Sequence, residues 1–119
     1  MGFLKSLKLK LAQRANPPEP PIILTELGFL AGASAGSATE VHWQNVKEVR
    51  AFKLDLLTTD EVRFVFSLAD GTAVEVSEEQ PGFESMLAEA MHRMPSIRDW
   101  QSAIIKPPFA RNETILFPR

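Results

Sequence analysis

The strongest constraint on the fold is a series of strand patterns that leads directly into one amphipathic helix pattern. From Val62 to Leu68, every second residue is a large apolar one, which is typical of a strand with one buried face. Asp70-Gly71 follows, and an Asp-Gly pair between apolar strands favours a tight hairpin because both residues tolerate positive φ. Five strands are predicted before the helix, over about 22–31, 38–44, 46–57, 62–68 and 74–76.

The helix pattern begins after Pro81, which suits a first turn, and stops before Pro95. Its apolar residues recur at intervals of three and four and therefore share one face. They are Phe83, Met86, Leu87, Ala90, Met91 and Met94. We expect this stripe to pack on the apolar face of the sheet, with an adaptable methionine-rich partner groove as the alternative.

These elements predict a mainly β protein of the α+β class. We expect a curved antiparallel sheet or a partial barrel that is capped by the amphipathic helix. After Pro95 the sequence predicts irregular chain with a short helical turn, and residues 114–117 form a last strand or an edge segment. Trp100 and Phe109 are expected to help close the core, or to contact a partner where they remain exposed.

Residues 1–16 differ from the rest of the chain in charge and in pattern. Leu4, Leu7 and Leu11 form a helical stripe, and the charged side chains of this segment are all basic. The basic residues are Lys5, Lys8, Lys10 and Arg14. A proline-rich linker over residues 17–21 ends this helix and leaves residues 22–119 as the main domain. The sequence leaves open whether the helix docks on its own domain or on a second copy, frays, or contacts an anionic membrane weakly.

The composition narrows the functional classes. The 119 residues include no cysteine, which excludes disulfides, thiolate catalysis and cysteine-rich zinc sites. The first 16 residues carry a net charge of +4, and the rest of the chain carries nine basic against 15 acidic residues. An acidic main domain argues against nucleic-acid binding, because phosphate contacts require clustered cations. No apolar run resembles a signal peptide or a membrane span of about 20 residues, so a soluble cytoplasmic protein is predicted.

Charged residues gather where the third and fourth predicted strands meet and near the start of the helix. They are Lys53, Asp55, Asp60, Glu61, Glu78 and Glu79. Solvated surface charge is the simplest interpretation, a partner-binding patch is the functional alternative, and acid–base catalysis is least favoured because no matched nucleophile accompanies them.

Two histidines without cysteine are too few for a typical metal site, and Gly32–Ser37 lacks the lysine of a phosphate-binding loop. Neither a metal nor a cofactor is therefore predicted.

Five short segments carry a family resemblance. They are Trp43-Gln44-Asn45-Val46, Ala51-Phe52-Lys53-Leu54-Asp55, Thr59-Asp60, Glu78-Glu79-Gln80-Pro81-Gly82-Phe83 and Pro107-Pro108-Phe109-Ala110-Arg111-Asn112-Glu113-Thr114. Together with the order of strands and helix, these segments resemble the bacterial pleckstrin-homology-like domains, and more narrowly a set of small bacterial proteins whose activity is not established. The resemblance covers roughly residues 22–119 and implies a bent sheet, capped by a helix, that is used for binding rather than catalysis. A complete barrel of that family has seven strands, against the five predicted before the helix here.

The sequence therefore predicts a non-enzymatic binding module whose partner is another protein. The acidic sheet end and the segment after Pro95 are the predicted contact regions, and association with a second copy of the chain is an additional option. The alternative is a peripheral membrane module that uses the basic helix. A small enzyme is the third hypothesis, and it would require a deep pocket lined by Lys53, Asp60 and Glu78.

Overall fold

The computed structural model describes residues 20–32, 38–55, 60–105 and 113–118. Within these ranges the chain forms two antiparallel sheets and two α-helices, which confirms the predicted mainly β, α+β class. The strands are β1 (Ile22–Leu24), β2 (Gly28–Gly32), β3 (Ala38–His42), β4 (Val46–Asp55), β5 (Asp60–Leu68), β6 (Ala73–Ser77) and β7 (Thr114–Phe117). The helices are α1 (Phe83–Arg93) and α2 (Trp100–Ile105), and short 3-10 turns cover Trp43–Asn45 and Pro95–Ile97.

Sheet 1 contains β1, β2 and β3 in that order. The single strand predicted over residues 22–31 is wrong, because the chain turns after Leu24 and returns as β2. Thr25 stabilises this turn: its backbone N donates to the Gly28 carbonyl at 2.9 Å, and its Oγ1 accepts from the Gly28 N at 3.0 Å. Gly28 lies so close to β3 that an added Cβ would collide with the Val41 carbonyl oxygen, so only glycine fits there without a backbone shift.

Sheet 2 has the strand order β6-β5-β4-β7, and all its pairings are antiparallel. The hairpin predicted at Asp70-Gly71 is confirmed and connects β5 to β6. Gly71 has a φ of 91°, and Asp70 Oδ1 accepts from the Thr72 N at 2.9 Å and from its Oγ1 at 2.6 Å. Residues 114–117 form the predicted edge segment, since β7 pairs with β4 at one side of the sheet.

The core lies between the inner faces of the two sheets and the apolar side of α1. Aromatic rings connect these layers, because the ring of Phe29 in sheet 1 lies 5.2 Å from that of Phe66 in sheet 2. The stripe predicted on the helix is confirmed as core, and its buried members within α1 are Phe83, Met86, Leu87 and Ala90. Burial of these large side chains supplies the main driving force for closing the helix over the sheets.

The segment after Pro95 contains more helix than the sequence predicts. A 3-10 turn begins at Pro95, and α2 follows over Trp100–Ile105. A helix of six residues is too short to show a clear apolar period, which explains why the sequence indicates only a single turn. Ser96 Oγ donates to the Leu116 carbonyl at 2.6 Å, so this segment is tied to β7.

The basic helix predicted over residues 1–16 and most of the linker over 17–21 lie outside the described residues. The described chain begins at residue 20, within the predicted linker. The Gln80 Nε2 donates to the Pro20 carbonyl at 2.8 Å, and the Ile22 N donates to the Pro81 carbonyl at the same distance. The end of the linker is therefore fixed beside the turn between β6 and α1.

Candidate functional site

The charged residues predicted from the sequence do come together at one end of sheet 2. Asp55 and Asp60 are paired positions of the β4–β5 hairpin. The Lys53 Nζ lies 3.6 Å from Asp60 Oδ2. Glu78 reaches the same end, because its Oε1 accepts from the Val62 N at 2.8 Å.

Two carboxylates at this end are engaged by groups of the protein itself. Glu61 Oε2 lies 3.1 Å from Arg63 Nη2 and also accepts from the Ser77 hydroxyl. The Ser77 hydroxyl in turn accepts from the Glu79 N at 3.0 Å. Glu61 and Glu78 hold the strand ends in place through these hydrogen bonds, so both residues stabilise the fold. Their negative charge would also attract a basic partner.

Of the two large apolar residues that the sequence singles out after Pro95, the structure describes only Trp100. Trp100 is half-buried, and its ring lies 5.4 Å from that of Phe64 in an edge-on contact with the core. Its first role is therefore to close the core on the inner face of sheet 2. Phe109 lies outside the described residues, as do the four basic residues proposed for membrane contact, Lys5, Lys8, Lys10 and Arg14.

A second surface, which the sequence did not single out, surrounds β1. Ile23, Leu24 and Leu27 are 41% to 57% exposed, and we call these three residues the β1 surface. In the described ranges, the remaining exposed large apolar side chain is Ile115, on sheet 2. These three residues lie within five positions at the edge of sheet 1: Ile23 on its outer face, Leu24 on the side of Phe29, and Leu27 in the turn. Such a concentration at one edge differs from isolated surface apolar residues. The sequence signal is the consecutive run Ile22-Ile23-Leu24, because a strand with one buried face can hide only alternate residues.

Acidic side chains border the β1 surface. Glu26 belongs to the turn between Leu24 and Leu27. Glu40 on β3 pairs with Leu30, and Leu30 in turn pairs with Ile23, so these three residues share the outer face of sheet 1. An apolar centre with an acidic border is the arrangement of a protein-contact surface that favours a basic neighbour.

A shallow cleft of about 320 Å³ lies where the outer side of β3 meets the β5–β6 hairpin. Its lining residues are Glu40, His42, Asn45, Leu68, Ala69 and Asp70. The His42 Nε2 lies 3.3 Å from Glu40 Oε2. No group of three or more histidine or carboxylate side chains within the described residues is arranged to hold a metal ion. This cleft therefore offers polar contacts at the edge of sheet 1.

Two side chains have pKa values that are shifted by identifiable partners. The hydrogen bond from the Arg50 guanidinium to Glu48, at 2.8 Å, raises the pKa of Arg50, and Glu113 adds to the effect. The hydroxyl and backbone N–H of Thr72 lower the pKa of Asp70, because both donate to its carboxylate. Both shifts stabilise the charged form of a surface group and do not create an acid or base suited to catalysis.

Comparison with protein-family models, with curated proteins and with solved structures found no match to this chain. In the part of the chain that the structure describes, the helices are too short and too polar to cross a membrane. Any functional assignment therefore depends on the surfaces of the molecule itself.

Proposed function

We propose that this chain is a non-catalytic module that binds another protein through the β1 surface. The observation that supports this most strongly is the clustering of Ile23, Leu24 and Leu27, each more than two-fifths exposed, on one edge of sheet 1. Contiguous exposed apolar patches in a soluble domain are most often contact surfaces, because leaving them in water has a free-energy cost and promotes aggregation.

The acidic border indicates the chemistry of the partner. Glu26 and Glu40 flank the β1 surface, and Glu78 and Glu79 precede Pro81, which is hydrogen-bonded to Ile22. A partner that presents an apolar residue within a basic surround would gain both burial and charge complementarity. The acidic sheet end predicted from the sequence thus becomes the electrostatic rim of the proposed interface.

The finer architecture that we propose is a pleckstrin-like partial barrel. The three-stranded sheet 1 and the four-stranded sheet 2 enclose one core, and α1 packs against it through a continuous apolar stripe. In the described ranges the two sheets contain seven strands, six of them before α1 and one after it. Two sheets closed by one helix support a scaffold whose function resides in its edges and loops rather than in a buried active site.

A pull-down from native lysate tests the proposal when matched variants are compared. Wild-type protein, Leu27→Asp and Ile115→Asp are each used as bait, and the captured proteins are quantified by mass spectrometry. Ile115 is a suitable control because it is also exposed and apolar but lies on sheet 2. We expect a partner that is captured by wild type and by Ile115→Asp and lost with Leu27→Asp. If Leu27→Asp captures the same proteins in the same amounts, the β1 surface is not the interface.

Membrane attachment through the basic segment is the alternative function, supported by the net charge of +4 in residues 1–16. Flotation with phosphatidylserine-containing vesicles distinguishes it from the first proposal. Protein lacking residues 1–16 is the matched control. Flotation of the full chain but not of the shortened one would favour the membrane module, whereas absence of flotation in both supports protein binding.

Size-exclusion chromatography of wild type and Leu27→Asp tests whether the partner is a second copy of the chain. A dimer of wild type that becomes a monomer in Leu27→Asp would identify a second copy, and a monomer in both would indicate a different protein.

A further inference from the structure

Phe52 is buried on the side of sheet 2 that faces away from the core. It follows Ala51, which belongs to the core, and it pairs with Arg63, which lies between the core residues Val62 and Phe64. Since successive strand residues point to opposite faces, Phe52 and Arg63 point outward. Phe52 is nevertheless only 1% exposed and does not belong to the contiguous core cluster. A large outward side chain is buried to this extent only where another segment covers it.

The burial extends across a whole row of the sheet. Ser77, Arg63 and Phe52 are paired positions on three adjacent strands, β6, β5 and β4. Ser77 is 0% exposed although β6 is an edge strand, and the side chain of Arg63 is only 19% exposed. In the next row, the side chains of Glu75 and Arg50 are 43% and 42% exposed. On the other side, the side chain of Glu61, which pairs with Leu54, is only 13% exposed. The cover therefore includes the row of Phe52, which spans about 10 Å across two strand spacings, and ends before the row of Arg50.

The position of the linker identifies the covering segment. Pro20 is hydrogen-bonded to the side chain of Gln80, and the Oε1 of the same Gln80 side chain accepts from the Ser77 N at 2.8 Å. The linker thus ends at the β6 side of the covered row. The 14 residues 2–15 would extend about 21 Å as a helix, which is enough to cross the row completely.

A competing segment, residues 106–112, fits this geometry poorly. It connects Ile105 to Glu113, next to β7, which is the edge of sheet 2 opposite to β6. Reaching Ser77 from β7 and returning would require about 29 Å, because three strand spacings separate β7 from β6. Eight residue steps provide at most about 29 Å of extended chain, with none left to pass from the core side of the sheet to the outer side.

We propose that the amphipathic segment 2–15 docks across the outer face of sheet 2, over the row formed by Ser77, Arg63 and Phe52. The stripe of Leu4, Leu7 and Leu11 supplies the apolar cover that the ring of Phe52 requires. On the outer face of sheet 2 the strand residues Glu48, Glu61 and Glu75 outnumber Arg50 and Arg63 by one, so the basic residues of the segment meet a face with a small excess of carboxylates. In this position the leucine stripe is buried against the chain's own sheet and is unavailable for a membrane.

Cross-linking between engineered cysteines tests this docking directly, because the natural chain contains no cysteine. Lys8→Cys is combined with Glu75→Cys, which lies on the exposed row next to the covered one. The control pair combines Lys8→Cys with Glu40→Cys on the outer face of sheet 1. A short bismaleimide should join the first pair within one molecule at least about tenfold faster than the control pair, since docking raises the effective concentration of the two thiols.

Three outcomes of this experiment would overturn the proposal. Equal rates for the two pairs would show that residues 2–15 do not dock at the row. Cross-links that form only between molecules would assign the cover to a second copy. A faster reaction between Arg111→Cys and Glu75→Cys than between Lys8→Cys and Glu75→Cys would assign it to residues 106–112.

A thermal unfolding series adds a readout that needs no labelling. Leu7→Ala should lower the unfolding midpoint in the natural chain, because docking brings Leu7 into contact with Phe52. In the Phe52→Leu background this contact is already weakened, so the effect of Leu7→Ala should be much smaller. Leu9→Ala, which lies off the apolar stripe, is the control and should give the same shift in both backgrounds. Equal shifts for Leu7→Ala in both backgrounds contradict the docking.

Discussion

On the outer face of sheet 1 the side chain of Ile23 is 52% exposed, whereas on the outer face of sheet 2 the side chain of Phe52 is 1% exposed. Both faces carry charged side chains. Ile23 shares its face with Glu40 on β3, and Phe52 lies among ion pairs such as Glu61–Arg63, at 3.1 Å. The two faces therefore differ in the exposure of their apolar residues rather than in the presence of charge.

This difference shows that charge density alone does not locate a contact surface. The Arg63–Glu75 pair connects β5 to β6, the Glu61–Arg63 pair lies along β5, and both border the covered row, so they contribute to the fold. The residues of the β1 surface are 41% to 57% exposed and therefore remain available for a partner. We therefore interpret sheet 2 as the closed side of the molecule and sheet 1 as the binding side.

The largest expected effect comes from removing the apolar side chain at each of the two compared positions. Phe52→Ala should lower the free energy of unfolding by about 3–5 kcal/mol, because it leaves a cavity under a covered row. Ile23→Ala should change it by only about 0.5 kcal/mol, because the isoleucine is already half in water. Urea unfolding followed by tryptophan fluorescence measures both. Similar losses for the two variants would remove the distinction between the faces.

A smaller effect is expected at Gly28, where β2 lies close to the backbone of β3. Gly28→Ala should lower the free energy of unfolding by about 2 kcal/mol, because the new Cβ forces β2 away from the Val41 carbonyl. Hydrogen exchange should accelerate for the amides of β2 and β3 and remain unchanged for those of β4 and β5. Uniform acceleration in both sheets would show that they do not respond independently.

The ion pairs of sheet 2 provide a third, smaller test. Arg63→Met should lower the free energy of unfolding by about 1–2 kcal/mol, because it leaves the largely buried Glu61 without its cation. Arg93→Met is the matched control, since it breaks an exposed pair with Glu89 within one helix, for which about 0.5 kcal/mol is expected. Chemical denaturation at low and moderate salt measures both variants. An equal loss would place the Glu61–Arg63 pair among ordinary surface pairs.

The weakest expected effect concerns Asp70, which lies at the cleft between the two sheets. Thr72→Val removes one of the two hydrogen bonds that lower the pKa of this carboxyl, so the pKa should rise towards its ordinary value. A lowered pKa in the folded state stabilises the protein above the pKa of the unfolded chain, and this contribution is lost as pH falls through the folded value. The stability difference between the variant and wild type should therefore shrink in acid. Titration of the Asp70 carboxyl by NMR checks the shift, and an unchanged pKa would contradict it.

Regular patterns explain which parts of the fold the sequence predicts. The stripe on α1 and the Asp70-Gly71 hairpin have strong local signals, and both are confirmed. The turn between β1 and β2 contains no proline and has its glycine at the end, so the sequence does not distinguish two short strands from one long one. α2 is predicted only as a short helical turn, because six residues are too few to establish a helical period.

The candidate site is predicted only where local geometry determines it. Lys53, Asp60 and Glu61 come together because a hairpin brings the ends of adjacent strands into register. The exposure of Ile23 and Leu27 depends on where sheet 1 ends relative to α1 and sheet 2, which is a property of tertiary packing. The burial of Phe52 has the same origin, since the strand register places this side chain on the outer face, where only a covering segment can bury it.

Hydroxyl-radical footprinting of the purified full-length protein tests the contrast between the two outer faces most directly. Mass spectrometry of the peptides that contain Ile23, Leu24, Leu27 and Phe52 reports the oxidation rate of each side chain in one sample. We predict rapid oxidation of the three residues of the β1 surface and strong protection of Phe52, although an exposed phenylalanine reacts readily. Oxidation of Phe52 at the rate of the unfolded chain, or protection of all three aliphatic residues in the isolated protein, would contradict this account.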